Sequence, residues 1–272
     1  MKTQCIILDS HRNMTQKREN SLKNFFEEVK GVSAEEAKKQ VEFCDWYESE
    51  YAVKWFEVIV TVSTFTSDMS KSKNKKTSER NNVIAGYLRC FRNPDDIRQW
   101  YIGDVHVRKA YRQQGIATRM YEKVFKELER YEAAENVISA VRRDNEKSIG
   151  LHKKMGFFDT GKPCEFASFF VDEDETKYQK MLYRYLPVPI DAPVDKVTEI
   201  MFPLWKEYLN KSDKYTNDKK ATADLKKLLQ QNRSGELSFT GIWCGNRLVG
   251  FCYDDVNYIV EQKNRGLTLL IH

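Results

Sequence analysis

The sequence predicts a mixed α+β (α/β) fold: a mostly antiparallel central sheet flanked by helices, followed by a smaller C-terminal α+β segment. Three stretches carry that expectation. Residues 101–107 have the β-branched alternation of a strand and run through a basic, glycine-bearing turn into a helix, where Ile116, Met120, Val124 and Leu128 recur every four residues. Residues 56–65 alternate in the same way, and 83–90 form the return strand. Three prolines, Pro187, Pro189 and Pro193, then interrupt a chain that can continue there as neither sheet interior nor helix, which separates 1–186 from 187–272.

Length and composition bound the rest. At 272 residues, with 41% apolar and 31% charged side chains, the chain has material for one large globular domain or two ordinary ones. No apolar run approaches the ~20 residues of a membrane span. The Cys5-Ile6-Ile7-Leu8 run is too short for a signal-peptide core, so a cytoplasmic protein without a membrane partner is expected. Six cysteines lie far apart with no Cys-x-x-Cys pair, which favours reduced thiols and no metal site. Cys244 and Cys252 flank a hairpin in which they could face each other. Much of the net charge of +5 comes from Lys71, Lys73, Lys75, Lys76 and Arg80, in a polar stretch read as a loop over 68–82. Without a basic face interleaved with aromatics, no nucleic-acid partner is expected.

In chain order, residues 4–8 read as a first strand, and Leu22, Phe25, Phe26 and Val29 mark one helical stripe. Gly31 reads as a helix stop, and Ser33 followed by Glu35-Glu36 as a restart. The second helix turns Ala37, Val41, Cys44 and Trp46 inward and carries acids at Glu35, Glu36, Glu42, Asp45, Glu48 and Glu50. Beyond the central helix, 136–141, 157–158, 166–171 and 180–186 read as strands, the last closing the sheet. The tail offers a helix around Val197, Met201 and Trp205, a second at Leu225, Leu228 and Leu229, a hairpin turning at Gly245-Asn246, and a final strand over 267–271.

A strand that feeds a glycine turn opening a helix is an anion site in outline, because the first helical N–H groups have no internal partner and sit at the positive end of the dipole. Gly115 and Ala117 allow close approach, and Arg112 adds a charge. The same features open many ordinary helices. The run Arg112-x-x-Gly115-x-Ala117, after Val105-x-Val107, resembles the acetyl-CoA-binding signature of the GNAT acetyltransferase family. A second segment, from Asn145-Glu146-Lys147-Ser148 through Leu151-His152-Lys153-Lys154-Met155-Gly156-Phe157, is similar to that family's Asn-x-x-Ala/Ser-x-x-Leu-Tyr-x-Lys-x-Gly-Phe. The likeness covers roughly 4–186, and the order of strands and helices is also that of the GNAT fold. Residues 187–272 resemble the first half of a second GNAT domain that lacks both CoA motifs; an unrelated small α+β domain is the other reading.

The resemblance implies an acetyl-CoA-dependent N-acetyltransferase that acts on a primary amine, a small cationic amine or a protein amine, by direct attack in a ternary complex. It assigns the diphosphate to Arg112, Gln113, Gln114, Gly115, Ile116, Ala117 and Thr118, and the acetyl and pantetheine contacts to the backbones of Val105 and Val107. Asn145 and Ser148 add cofactor contacts, although a helix cap alone accounts for Asn145. His152 stands where the family commonly has a tyrosine that serves the departing sulfur; it is a candidate acid or an exposed helix residue. Asp104 and His106 are candidate bases, and Tyr101 occupies a place where some members carry glutamate. The acidic second helix, together with acids at 172–175, could attract a cationic acceptor. A homodimer through the C-terminal segment is possible. The competing reading is a non-catalytic acyl-CoA-binding or interaction module; another acyl donor or an O-acceptor is a third.

Overall fold

Two capped helices and a run of long strands begin the chain. In this computed structural model, which describes residues 3–12, 14–66, 79–166, 170–172 and 174–260, the chain divides into two units, Met1–Lys180 and Met181–His272. The first contains β1 (Thr3–Leu8), α1 (Gln16–Lys30), α2 (Ala34–Tyr51), β2 (Trp55–Thr66), β3 (Glu79–Arg92), β4 (Gln99–Val107), α3 (Ile116–Leu128), β5 (Asn136–Arg142), α4 (Glu146–Lys154), β6 (Phe158–Asp159), β7 (Cys164–Phe166), β8 (Phe170–Asp172) and β9 (Glu175–Met181). Seven strands form one sheet in the order β1-β2-β3-β4-β5-β9-β6. Pairing from β1 through β4 is antiparallel, whereas β4 and β5 run parallel. This is the mixed, mostly antiparallel sheet that the sequence predicts.

Local signals account for the helix boundaries. Thr15 accepts a hydrogen bond from the Arg18 N–H, and α1 stops at Gly31, whose φ of 68° is the left-handed value glycine adopts without strain. Ser33 and Glu36 form a reciprocal capping box that starts α2. Leu22, Phe25 and Phe26 of α1 join Ala37 and Val41 of α2 over Ile59, Ile84 and Tyr87 of the sheet. Against α3, a Cβ on Gly86 would come within 2.7 Å of Ile116 Cγ2, so this helix rests on bare backbone.

Several expectations are corrected. Trp46 is 48% exposed and Tyr47 is the buried aromatic of α2, one position further round the helix. The strand read over 166–171 is two short strands, β7 and β8, paired antiparallel. Residues 79–82, read as loop, begin β3, while 67–78 lie outside the described residues. The closing strand read over 180–186 is divided: β9 enters the large sheet, and β10 (Tyr183–Pro187) pairs with the tail.

The second unit holds β10, α5 (Val194–Lys211), α6 (Asp218–Ser234), β11 (Phe239–Cys244), β12 (Arg247–Tyr253) and β13 (Val256–Ile259). Its sheet runs β10-β11-β12-β13. The core is its own: Met201, Trp205 and Leu209 of α5, with Leu225 and Leu229 of α6, pack on Phe239, Phe251 and Tyr258. Cys252 pairs with Thr240 and Cys244 with Arg247, so the two cysteines do not face each other. The strand expected over 267–271 lies outside the described residues.

Candidate active site

The central strand β4 is irregular where the chemistry is expected. Its register with β3 jumps from Arg89↔Gly103 to Tyr87↔His106, so Leu88 alone spans Asp104 and Val105. Asp104 takes a φ of +51° to make the bulge. On the other edge, parallel pairing with β5 runs from Gln99↔Asn136 to Tyr101↔Ile138 and stops short of Asp104. The backbone around Val105 is thereby released from a regular ladder on both sides.

Just beyond lies the turn into α3. Gly115 caps the helix with a φ of 75° and no side-chain hydrogen bond, and nothing lies within 4 Å of where its Cβ would be. Gln113 is also left-handed, at φ 61°. Arg112 Nε donates to the Val107 carbonyl at 3.0 Å, which ties the turn to the end of β4. Ile116 is buried, while Gly115 is exposed and Ala117 and Thr118 are partly so. Open amides and an absent Cβ fit a diphosphate. On α4, the Asn145 side chain accepts from the Ser148 N–H as an N-cap. Its amide N–H groups remain for another partner.

His152 is inside, which corrects its reading as an exposed helix residue. It is 2% exposed, ringed by Tyr121, Phe157 and Tyr178. Its Nδ1–H donates to the Ser148 carbonyl at 2.8 Å, and Nε2 lies 2.9 Å from the Tyr121 hydroxyl. Burial pushes the imidazole below its ordinary value despite the Ser148 bond. A neutral ring that donates through Nδ1 accepts the Tyr121 proton at Nε2. Both nitrogens are therefore committed, and neither stands free to serve a departing sulfur.

Asp104 is held between cations. Arg89 NH1 donates to its Oδ2 at 2.6 Å, and Lys30 Nζ donates to Oδ1. Burial alone would raise this carboxyl, but Arg89, His106 and Lys30 outweigh it and hold it far below the usual carboxylate range. A carboxylate so stabilised is a poor proton acceptor. His106 is brought to it, with Nε2 3.6 Å from Oδ1 and its side chain 30% exposed. The pair has the form of an imidazole beside a locked carboxylate.

Sequence reasoning missed what lies behind that pair. Arg89 is 2% exposed; its Nε donates to the Tyr87 hydroxyl at 3.0 Å, and its NH2 to the Gln40 carbonyl at 2.6 Å. The Tyr87 hydroxyl and the Cys44 thiol both donate to Glu57 Oε1. His11 completes the row, with one nitrogen 3.1 Å from Glu57 Oε2 and the other 3.1 Å from Asp45 Oδ2. Burial alone would lower the His11 value; Glu57 and Asp45 reverse it and hold it above the ordinary range. The available signal was a charge at an inward position of an alternating strand: Glu57 in β2, and Arg89 two residues after Tyr87 in β3.

The acidic face of α2 is largely engaged. Glu35 pairs with Lys39, Glu42 with Lys38, Glu36 caps its own helix, Asp45 binds His11, and Glu48 accepts from Trp55 Nε1. Among the described residues, no group of three or more His, Cys, Asp or Glu side chains is placed to hold a metal ion.

A bulged central strand lies beside an uncapped, glycine-led helix start that is open to an anion. The sequence profile of the acetyltransferase (GNAT) family matches residues 40–157, and the chain carries a GNAT acetyltransferase domain. Similar solved structures include an acetyltransferase of the GNAT family from Staphylococcus aureus Mu50, at 13% identity and TM-score 0.43, over 66% of this chain and 99% of that one. Another is the Salmonella typhimurium acetyl transferase that modifies the N-terminal serine of ribosomal protein L7/L12, at 16% identity and TM-score 0.45, over 65% and 94%. A ribosomal L7/L12 α-N-protein acetyltransferase in complex with coenzyme A matches at 15% identity and TM-score 0.42, over 65% and 94%. No curated protein matches the chain. Among the described residues no helix is long and apolar enough to cross a membrane.

Proposed function

We propose that the N-terminal unit transfers an acetyl group from acetyl-CoA to an amine within a ternary complex. The observation that carries this reading is the open start of α3, led by left-handed Gly115, beside a strand bulged at Asp104. Amides from Gln113 to Thr118 hold the diphosphate, and Asn145 and Ser148 add contacts from α4. The Val105 backbone, freed by the bulge, polarises the thioester carbonyl, and Val107 guides the pantetheine arm. His106 takes a proton from the acceptor ammonium, directly or through water. The amine nitrogen then bonds to the carbonyl carbon, the carbon–sulfur bond breaks, and the proton shed by the nitrogen passes to the departing thiolate or to water, leaving the amide.

Residues 187–272 bind no CoA in this reading, because they lack a glycine-led helix start of the Arg112–Ala117 kind. Their edge strand β10 exposes Tyr185 and Leu186. A second copy of the chain is the occupant we assign to it, and sedimentation of the parent against Tyr185→Lys tests that assignment.

One observation favours a second reading. His152 is buried where the family commonly presents a tyrosine, which suits a domain that binds acyl-CoA without turning it over. Thermal-shift titration with acetyl-CoA, followed by thiol release with a panel of amines and peptides, separates the two. Stabilisation with turnover supports the transferase; stabilisation without turnover across the panel supports the binder. No stabilisation refutes both.

A further inference from the structure

Lys30 closes α1 immediately before its Gly31 stop, far in sequence from the central strand, yet its ammonium reaches Asp104 Oδ1. It also donates to Gln40 Oε1 of α2 at 2.7 Å, and the ammonium lies 5.5 Å from the centre of the Phe26 ring. Asp104 is therefore held by Arg89 from β3 on one oxygen and by Lys30 from α1 on the other. Oδ1 is shared, since His106 Nε2 stands 3.6 Å from the same atom. Two full positive charges thus compete with the imidazole for one carboxylate.

We infer that Lys30 is a positioning residue of the acetyl-transfer site: it shares Asp104 Oδ1 with His106, holds the carboxylate in place and offsets its charge, so that the imidazole stays free to accept a proton. The inference rests on the reading of His106 as base. An unopposed carboxylate at this distance would favour the imidazolium, the form that cannot act as a base. Arg89 offsets the same carboxylate from its other oxygen, Oδ2, so Lys30 supplies the part that falls on Oδ1, the atom nearest His106. Tyr87, its register partner on β3, donates its hydroxyl to Glu57 of β2. Arg89 is engaged by Gln40 and Tyr87 as well as by Asp104, and Arg108, which follows β4, pairs with Glu28 of α1. Lys30 is the cation on the His106 side of Asp104, and it arrives on the helix pair that precedes the sheet.

Two substitutions pull in opposite directions. Lys30→Met keeps an unbranched side chain and removes the charge; Asp104→Asn keeps the shape, and asparagine tolerates the left-handed backbone there. In the full-length protein, ring-proton NMR follows the titration of His106, assigned with His106→Gln, alongside the pH profile of kcat/KM. Lys30→Met should move the His106 midpoint and the acidic limb of the profile up by about one pH unit. Asp104→Asn should move both down, and Lys30→Arg should restore the parent. An unmoved or lowered midpoint in Lys30→Met, or a shift of the same sign in Lys30→Met and Asp104→Asn, overturns the inference. Should Lys30→Met fail to fold, an unmoved or raised midpoint in Asp104→Asn overturns it instead. The NMR midpoint decides this without turnover, whereas full activity in His106→Gln would refute the base assignment alone.

Discussion

Arg89 is the side chain through which the buried charges of the N-terminal unit meet, with Tyr87 and Glu57 on one side and Asp104 on the other. Removing one member of a buried, hydrogen-bonded ion cluster leaves its partners unpaired, so Arg89→Met should lose about 3–5 kcal/mol of stability in urea unfolding. His106 stands at the open end of the same cluster. Its replacement by glutamine should lower kcat by about 10²-fold or more and leave acetyl-CoA affinity near the parent value in calorimetry. His152 should behave otherwise. Its buried ring fills space between Tyr121 and Phe157, so His152→Ala should cost about 2–4 kcal/mol and reveal itself first as a lowered Tm. At the far end, His11 donates to two carboxylates and has a folded value above 6.5. A raised value gives stability that is complete below about 6.5 and is lost as pH climbs through the higher folded value. The Tm gap between parent and His11→Gln should therefore be widest in mild acid and close on the alkaline side; a constant gap would remove the imidazolium from the account.

The elements that build the site depend on backbone more than on side chains. The amides at the start of α3 are open because Gly115 sits at φ 75° with no cap. Valine there meets no neighbour but must adopt a left-handed backbone, which costs of order 1–3 kcal/mol. Gly115→Val should weaken acetyl-CoA binding in calorimetry by about tenfold or more. Gly86→Ala meets Ile116 Cγ2 at 2.7 Å and Met120 Sδ at 3.1 Å, so it strains the seat of α3 and not its mouth. Much of this was legible in the sequence. Gly31, Ser33 and Glu36 announce the α1–α2 junction, and Val105 to Ala117 announces a strand, a turn and a helix. The bulge was not, since Gly103-Asp104-Val105 reads as plain alternation. Only pairing with β3, where Leu88 spans two residues, forces Asp104 to positive φ.

Over the whole chain, the proline stretch marks the expected change of unit at 187, whereas the chain divides between Lys180 and Met181; strand partnership is a tertiary property. Residues 183–187 read as the last strand of the large sheet and pair instead with β11, because Tyr183–Pro187 aligns residue for residue with Cys244–Thr240. Each unit buries its own apolar cluster, so two unfolding transitions are expected in differential scanning calorimetry. Acetyl-CoA at about 100 times its Kd should raise the stability of one transition by about 2.7 kcal/mol and leave the other in place. Movement of both would mean that the C-terminal unit takes part in binding.

Periodicity, caps and two spaced motifs are local properties, and they suffice to specify the elements, the glycine-led mouth of α3 and the acetyltransferase family. The roles of individual charged residues are not local. Whether Asp104 is a base or an anchor depends on what α1 and β3 bring alongside, and whether His152 faces substrate or core depends on α3 and β9. Lys30, Glu57 and Arg89 come from three elements distant in sequence, and a proton affinity is set by the charges within a few ångströms, whatever their place in the chain.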